Sequence, residues 1–354
     1  MYESLETHMN LLKYVIIRTF GLKQHKAGIR DMGIRIITGM AMVEPITQMI
    51  LILARTTEMG EEKEDHNVIG SKGVGNPALW SRYIISSVKG GLRMKAFQVK
   101  IGEHIFDITL HSNLLSDWFD QDFNVIDERT DECCDMYIQI KDGYGHAFID
   151  YEVEIDHKDG KINYKRADYL IEVDSGFQQA VIHVHDWLAL KHALMNLYSS
   201  FLVHHQWGLL IHSSCVLENE KGHIFAGHSG SGKSTAAMLS TPRMLLSDEA
   251  TIVKISSNGA MIYNSPFRSD IAAEQKEGIF RLYSIQILHQ AVKNEKLPVA
   301  KADAVIKLMD KIFYWPYSPV ETKMIMNLLI MLVRNVQVNE LYFQKNNTFW
   351  ELIS

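Results

Sequence analysis

Cysteine is scarce in this chain: three in 354 residues, Cys133, Cys134 and Cys215, with no C-x-x-C pair. An odd count that includes two adjacent thiols supports neither a disulfide framework nor a structural zinc site, and it fits a reducing, cytoplasmic setting. A basic excess is also lacking. Lys and Arg number 36 against 42 Asp and Glu, a net charge of −6, which argues against a dedicated nucleic-acid partner. Long apolar runs are missing too. The stretch 36–54 is broken by Thr38, Gly39, Glu44, Pro45, Thr47 and Gln48, and 324–333 is only ten residues long. A membrane-spanning helix needs about 20 apolar residues, so no membrane partner is expected and 324–333 reads as a core helix. The N-terminus has no compact apolar run with a small-residue cleavage site, so no secretory signal is expected. What the chain does have is an ordinary globular balance, 47% apolar and 22% charged residues, which excludes wholesale disorder.

Texture divides the chain into three. Residues 1–93 hold two apolar stretches, the charge run 61–65 and a Gly-rich stretch ending at Asn76-Pro77, which is linker chemistry. They read as an appendage, with Met94 as a second candidate for the start of the protein. Residues 94–205 read as a β-rich module of antiparallel type. Phe97, Val99 and Ile101 alternate, Gly102-Glu103 turns, and Ile105, Phe106 and Ile108 follow. Further strands are predicted at 136–140, 147–155 and 169–173, and a helix at 186–204 whose apolar face includes Trp187, Leu190, Leu194 and Phe201. Residues 94–208 carry 20 acidic and nine basic side chains, a charge suited to a solvated face or a basic peptide. The pairs His183/His185 and His204/His205 have no thiol or clear carboxylate partner and read as surface or capping histidines.

The strongest signal lies in the third part, 206–354. A strand at 209–217, a turn at 219–222 and a returning strand to Ala226 lead into Gly227-His-Ser229-Gly230-Ser231-Gly232-Lys233-Ser234-Thr235, followed by the apolar helix start Ala236-Ala237-Met238-Leu239. This is G-x-x-x-x-G-K-S between a strand and a helix. Glycines let successive backbone N–H groups turn toward phosphate oxygens, the lysine supplies a point charge to the β- and γ-phosphates, and the Ser234 hydroxyl suits Mg2+. ATP and Mg2+ are the cofactors this predicts. Fifteen residues after Lys233, the apolar stretch 244–247 ends in Asp248-Glu249. A carboxylate there can hold a metal-bound water or accept a proton. The spacing leaves no room for the helical insertion and L-S-G-G-Q signature of ABC-type ATPases, and no N-K-x-D guanine motif is present.

Taken together, His212 on its strand, the loop 227–235, the 246–249 segment Leu-Ser-Asp-Glu, Asn264-Ser-Pro-Phe267 and the ending 341–353 resemble the HPr kinase/phosphorylase family. Within it they are most similar to the HPr-kinase-related enzymes that tailor ribosomal peptides, lasso peptides among them. The resemblance covers about 94–354. It implies an α/β fold: a P-loop kinase core of HPr kinase C-terminal type, a mixed sheet flanked by helices, preceded by the β-rich module. It also implies residue roles. Gly227, Ser229, Gly230, Ser231, Gly232, Lys233, Ser234 and Thr235 would hold ATP phosphates. Asp248 would be the general base, Glu249 a metal or water partner, and His212 a neighbour of the transferred phosphate. Ser234, Glu249 and Asp270 would serve Mg2+.

Departures matter. The bifunctional enzymes show Asp-Asp where this chain has Asp248-Glu249, and the downstream R-G-x-G-type signature is absent, which argues against phosphorolysis. Arg268-Ser269-Asp270 stands where the tailoring group tends to have Gly-Glu. The expected function is an ATP-dependent serine/threonine kinase acting on a peptide or small protein, first a ribosomal (lasso-type) precursor peptide. A regulatory kinase of the phosphocarrier HPr is the second reading. A non-catalytic ATP-gated peptide-binding module is the third, and self-association into a homo-oligomer is left open.

Overall fold

The computed structural model describes residues 94–354, apart from 112–114, 116–118, 120–122, 127–133, 270–277, 316–317 and 354. The appendage reading of 1–93 and the metal role of Asp270 therefore lie outside the described residues.

The described chain is mixed α/β, with two eight-stranded sheets and few helices. Its N-terminal part is β-rich: β1 (Lys95–Ile101), β2 (His104–His111), β3 (Asn124–Ile126), β4 (Met136–Lys141), β5 (Glu154–Lys158), β6 (Lys161–Lys165), β7 (Tyr169–Asp174) and β8 (Gln179–Val184). Alternation builds these strands. In β4, Met136, Ile138 and Ile140 are buried while Tyr137 and Gln139 face solvent, so one face is paired with the core and the other is wet. The hairpin read at Gly102-Glu103 is present, with Ile101 opposite His104 and Gly102 at φ 63°.

Two expectations for this part are corrected. The sheet order is β3-β1-β2-β4-β8-β7-β6-β5, and β2–β4 and β4–β8 run parallel, so the sheet is mixed rather than antiparallel. The strand expected at 147–155 forms only from Glu154. Ile149, Tyr151 and Val153 alternate with Asp150 and Glu152 but pair with no strand among the described residues, and Ile149 and Tyr151 are exposed.

A single long helix, α1 (Trp187–His204), follows. Asp186 caps it, its Oδ1 accepting from the Ala189 N–H at 2.9 Å. This helix is buried nearly all round because it packs against β7 and β8 of the first sheet and against β9 (Gly208–Glu218) of the second. Trp187, expected on the apolar face, is instead 55% exposed in the first turn.

The second sheet comprises β9, β10 (Lys221–Ala226), β11 (Met244–Ser247), β12 (Ala250–Ser256), β13 (Gly259–Tyr263), β14 (Ile279–Gln290), β15 (Glu295–Pro298) and β16 (Gln337–Phe343). Its helices are α2 (Lys233–Leu239), α3 (Lys301–Met309), α4 (Pro319–Asn335) and the short α5 (Trp350–Ile353). The pairings β10–β9–β12–β13–β14 close on themselves through a parallel β10–β14 contact. α4 starts earlier than the core helix read at 324–333: Ser318 accepts from the Glu321 N–H, Pro319 takes the first helical position, and Arg334 lies in the last turn. α3 stops at Met309, and the next residues turn back onto β9, with Ile312 bridging Ile211 and the Phe313 N–H bonded to the Leu210 carbonyl.

One apolar core runs through both sheets. Phe97, Phe106, Ile171 and Phe201 belong to the same buried cluster as Leu210, Ile252, Tyr263 and Phe267. The β1–β2 turn is tied to the second sheet as well: Glu103 accepts from the Tyr263 hydroxyl at 2.5 Å and from the Lys254 ammonium.

Candidate functional site

Strand β9 organises the site. On one side it pairs antiparallel with β10, placing Phe225 opposite Ser214 and Ala226 opposite Ser213. On its other side it pairs antiparallel first with β11 and then with β12, with Ser247 opposite Cys215 and Ala250 opposite His212. Asp248 and Glu249 therefore lie beside Ser214 and Ser213, and the Ser213 N–H donates to the Glu249 carbonyl at 3.0 Å. Because β10 and β11 both oppose β9, they run in the same direction. The glycine loop and the carboxylate pair leave the C-terminal ends of two like-directed strands, which is where α/β sheets hold ligands.

The loop itself is tightly built. Gly230 and Gly232 have φ of 78° and 106°, backbone that disfavours a side chain, and Gly232 is also the cap residue of α2. Space adds a second reason at Gly232, where an added Cβ would lie 2.7 Å from the Phe343 ring. The Ser231 N–H bonds the His228 carbonyl at 3.1 Å, and Gln290 at the end of β14 donates to the Gly230 carbonyl at 2.7 Å. The Lys233 ammonium reaches back to the carbonyls of Gly227 and His228 at 3.1 and 3.3 Å. Its own carbonyl accepts from the Ser214 hydroxyl at 3.1 Å, which fastens the start of α2 to β9. Ser229 and Gly230 are exposed at the tip, Ser234 presents an exposed side chain, and Thr235 is half-buried. The Ser231 hydroxyl is buried without a hydrogen-bond partner among the described residues, an orphaned polar atom inside a loop of the phosphate-binding pattern.

Charge concentrates around Lys233. Burial and the nearby Lys311 lower its pKa, while Glu249 opposes them. His212 feels burial, Lys233 and Lys311, which hold its imidazole down to about 4. The ring rests 5.2 Å from that of Phe313. Lys233 is thus the electrostatic neighbour of both His212 and Glu249.

Asp248 is buried, 3% exposed. Its Oδ1 and Oδ2 accept from the Ser269 N–H at 3.1 and 3.2 Å, and Oδ2 accepts from the Ser269 hydroxyl at 2.6 Å. Glu249 is half-buried and ion-paired with Lys191 of α1, whose ammonium also donates to the Arg268 carbonyl. Lys191 and Ser269 were not among the expected site residues. Ser269 sits inside a segment noted only for Arg268 and Asp270. Lys191 left one trace, as the one Lys or Arg of α1, and it is buried there.

Hard oxygen donors are few here, from Ser234, Asp248 and Glu249. Mg2+ commonly takes only one or two carboxylates and fills its octahedron with phosphate oxygens and water. Among the described residues no group of three or more His, Cys, Asp or Glu side chains could hold a metal ion.

Three histidines report on pH. Burial holds His192, His212 and His223 down to about 4 from an ordinary 6.5, with Arg166 and Lys191 adding to it at His192. Below about pH 6.5 the unfolded chain takes up protons at these rings that the folded chain refuses until about pH 4. Stability is therefore expected to fall as pH falls through that window. Urea unfolding midpoints between pH 7 and pH 4 check this, and replacing His223 by Gln should flatten the slope. A midpoint independent of pH over the window would contradict it.

Among the described residues no helix is long and apolar enough to cross a membrane. Residues 177–354, half of the chain, match the family described as SynChlorMet cassette protein ScmC. No curated protein matches the chain.

Proposed function

The chain belongs to the SynChlorMet cassette protein ScmC family, and from that premise we propose that it is an ATP-dependent kinase of HPr kinase-like type acting on a serine or threonine hydroxyl of a peptide or small protein. The family description names a cassette and no reaction, so the site carries the reading. The observation that carries it is the register of β9, which sets a G-x-x-x-x-G-K-S loop and the Asp248-Glu249 pair, Asp248 buried and Glu249 half-buried, on either side of Ser213 and Ser214.

In this reading the backbone N–H groups of 227–235 and the Lys233 ammonium hold the ATP phosphates. Ser234, with Glu249, would hold Mg2+, which would supply neutralisation of charge on the phosphates. Asp248 accepts the proton of the acceptor hydroxyl as its oxygen attacks the γ-phosphorus and ADP departs. Lys191 holds the Glu249 carboxylate in place through their ion pair. His212, neutral at pH 7, stands near the loop lysine without adding to its charge. A ribosomal precursor peptide is the acceptor class we favour, on the strength of the tailoring-kinase resemblance.

The test is mass spectrometry after incubation with Mg-ATP and an acceptor panel of serine-containing precursor peptides, an HPr-like carrier and free serine, with Lys233→Ala as control. The expected result is a gain of about 80 Da, one phosphoryl group, on a peptide acceptor and none in the control. A gain on the carrier alone would move the acceptor to a phosphocarrier protein. ATP binding without transfer to anything would leave a nucleotide-gated peptide-binding module instead.

A further inference from the structure

We propose that Ser269 is an acceptor built into the chain itself, phosphorylated in cis with Asp248 as its base; this rests on the kinase reading above. The argument starts from the segment that follows β13. The Ser265 N–H bonds the Leu246 carbonyl at 3.3 Å, and Arg268 donates to that same carbonyl at 3.3 Å and to Asn264 Oδ1 at 2.7 Å. Phe267 is fully buried in the core shared by both sheets. Lys191 holds the Arg268 carbonyl while it pairs with Glu249. These contacts clamp 264–268 across the end of β11, and the next residue is delivered to the carboxylate.

The Ser269 side chain makes the contact that an acceptor must make. A hydroxyl about to be phosphorylated gives its proton to a base within about 2.6–3.2 Å, and Ser269 Oγ lies 2.6 Å from Asp248 Oδ2. Asp248 is buried whereas Ser269 is exposed, so the hydroxyl stands on the open side of the base. Asp248 leaves the end of β11 beside Ser214, the residue that also fixes the Lys233 carbonyl, which brings the serine to the end of the sheet that carries the glycine loop. A purely structural role for Ser269 would need only its backbone N–H, which already serves both carboxylate oxygens.

The step balances. Ser269 Oγ attacks the γ-phosphorus of ATP and forms the new O–P bond. The bond from that phosphorus to the β,γ-bridging oxygen breaks, its electron pair leaving with ADP, and the hydroxyl proton passes to Asp248 Oδ2 and then to solvent. A phosphoserine next to Asp248 and Glu249 is repelled by both carboxylates, so the product has reason to leave the base.

The experiment incubates the full chain with Mg-ATP, alone and with the acceptor panel, and maps phosphate by tandem mass spectrometry. The expected result is a gain of about 80 Da located at Ser269, with a rate constant independent of protein concentration as a reaction in cis requires. It should be absent in Ser269→Ala and reduced at least about 100-fold in Asp248→Asn, which keeps the serine in place. Phosphate on an added acceptor with none on Ser269 would overturn the inference and leave the kinase reading standing. Phosphate at Ser269 whose rate constant rises with protein concentration would overturn transfer in cis. Absence of phosphate from every acceptor, with ATP bound, would remove both.

Discussion

Asp248→Asn is expected to lower transfer to an added peptide by about 10²–10⁴-fold, the usual contribution of a positioned general base, while ATP affinity stays nearly unchanged. The two effects separate because the residues involved separate. Phosphate binding is assigned to the loop 227–235, held by its own backbone, by Gln290 and by Ser214. Asp248 follows β11, which pairs with β9 rather than with β10, and is held by Ser269. The amide has nearly the shape of the carboxylate and can still accept the Ser269 N–H through its oxygen, so the segment 264–269 should stay docked. What it cannot do is take a proton. The measurement is kcat and KM with a peptide acceptor beside nucleotide titration and thermal unfolding of the same variant. Unchanged kcat would remove Asp248 as the base. A large loss of stability would instead mean that the carboxylate is a structural anchor.

Much of this site was legible in the sequence because it is written in consecutive residues. The loop announces itself between a strand and a helix, and Asp248-Glu249 ends an apolar run at a distance that permits a short helix, a turn and a strand. The structure supplies those in that order. What the sequence could not carry was the partner of each carboxylate. Lys191 meets Glu249 across 58 positions and Ser269 meets Asp248 across 21, and neither pairing has a periodic trace. The parallel pairing of β4 with β2 and β8 was missed for a related reason. Alternation marks which face of a strand is buried and is silent about strand direction. Residues 149–153 show the opposite failure, since their alternation is real but no strand among the described residues pairs with it. Trp187 was misplaced because an apolar residue in a first turn fits an amphipathic pattern whether or not the turn is covered.

The second large effect concerns stability rather than chemistry. Asp168→Ala is expected to cost about 3–5 kcal/mol, the penalty for breaking a buried ion pair from one side. Arg166 and Asp168 have side chains only 2% and 1% exposed and meet through two bonds, Nε to Oδ1 at 2.6 Å and the second nitrogen to Oδ2 at 2.9 Å. The guanidinium also lies over the Tyr169 and Phe148 rings, at 4.4 and 4.9 Å, and contacts His192 Nδ1 at 2.8 Å. Losing the carboxylate strands a positive charge among aromatic rings, beside a histidine already held neutral by burial and that same arginine. Restoring neutrality should recover most of the loss, so Arg166→Met combined with Asp168→Leu is expected near wild-type stability, since apolar replacement of a buried pair is often neutral or better. Urea unfolding of the three proteins at one pH reads this directly. Equal midpoints for Asp168→Ala and wild type would show that the pair contributes little. His192 follows Lys191 on α1, so the same charge cluster that steadies the first sheet also sets the helix that holds Glu249. Asp168→Ala should therefore lower kcat at temperatures below its unfolding transition, with the double replacement restoring it.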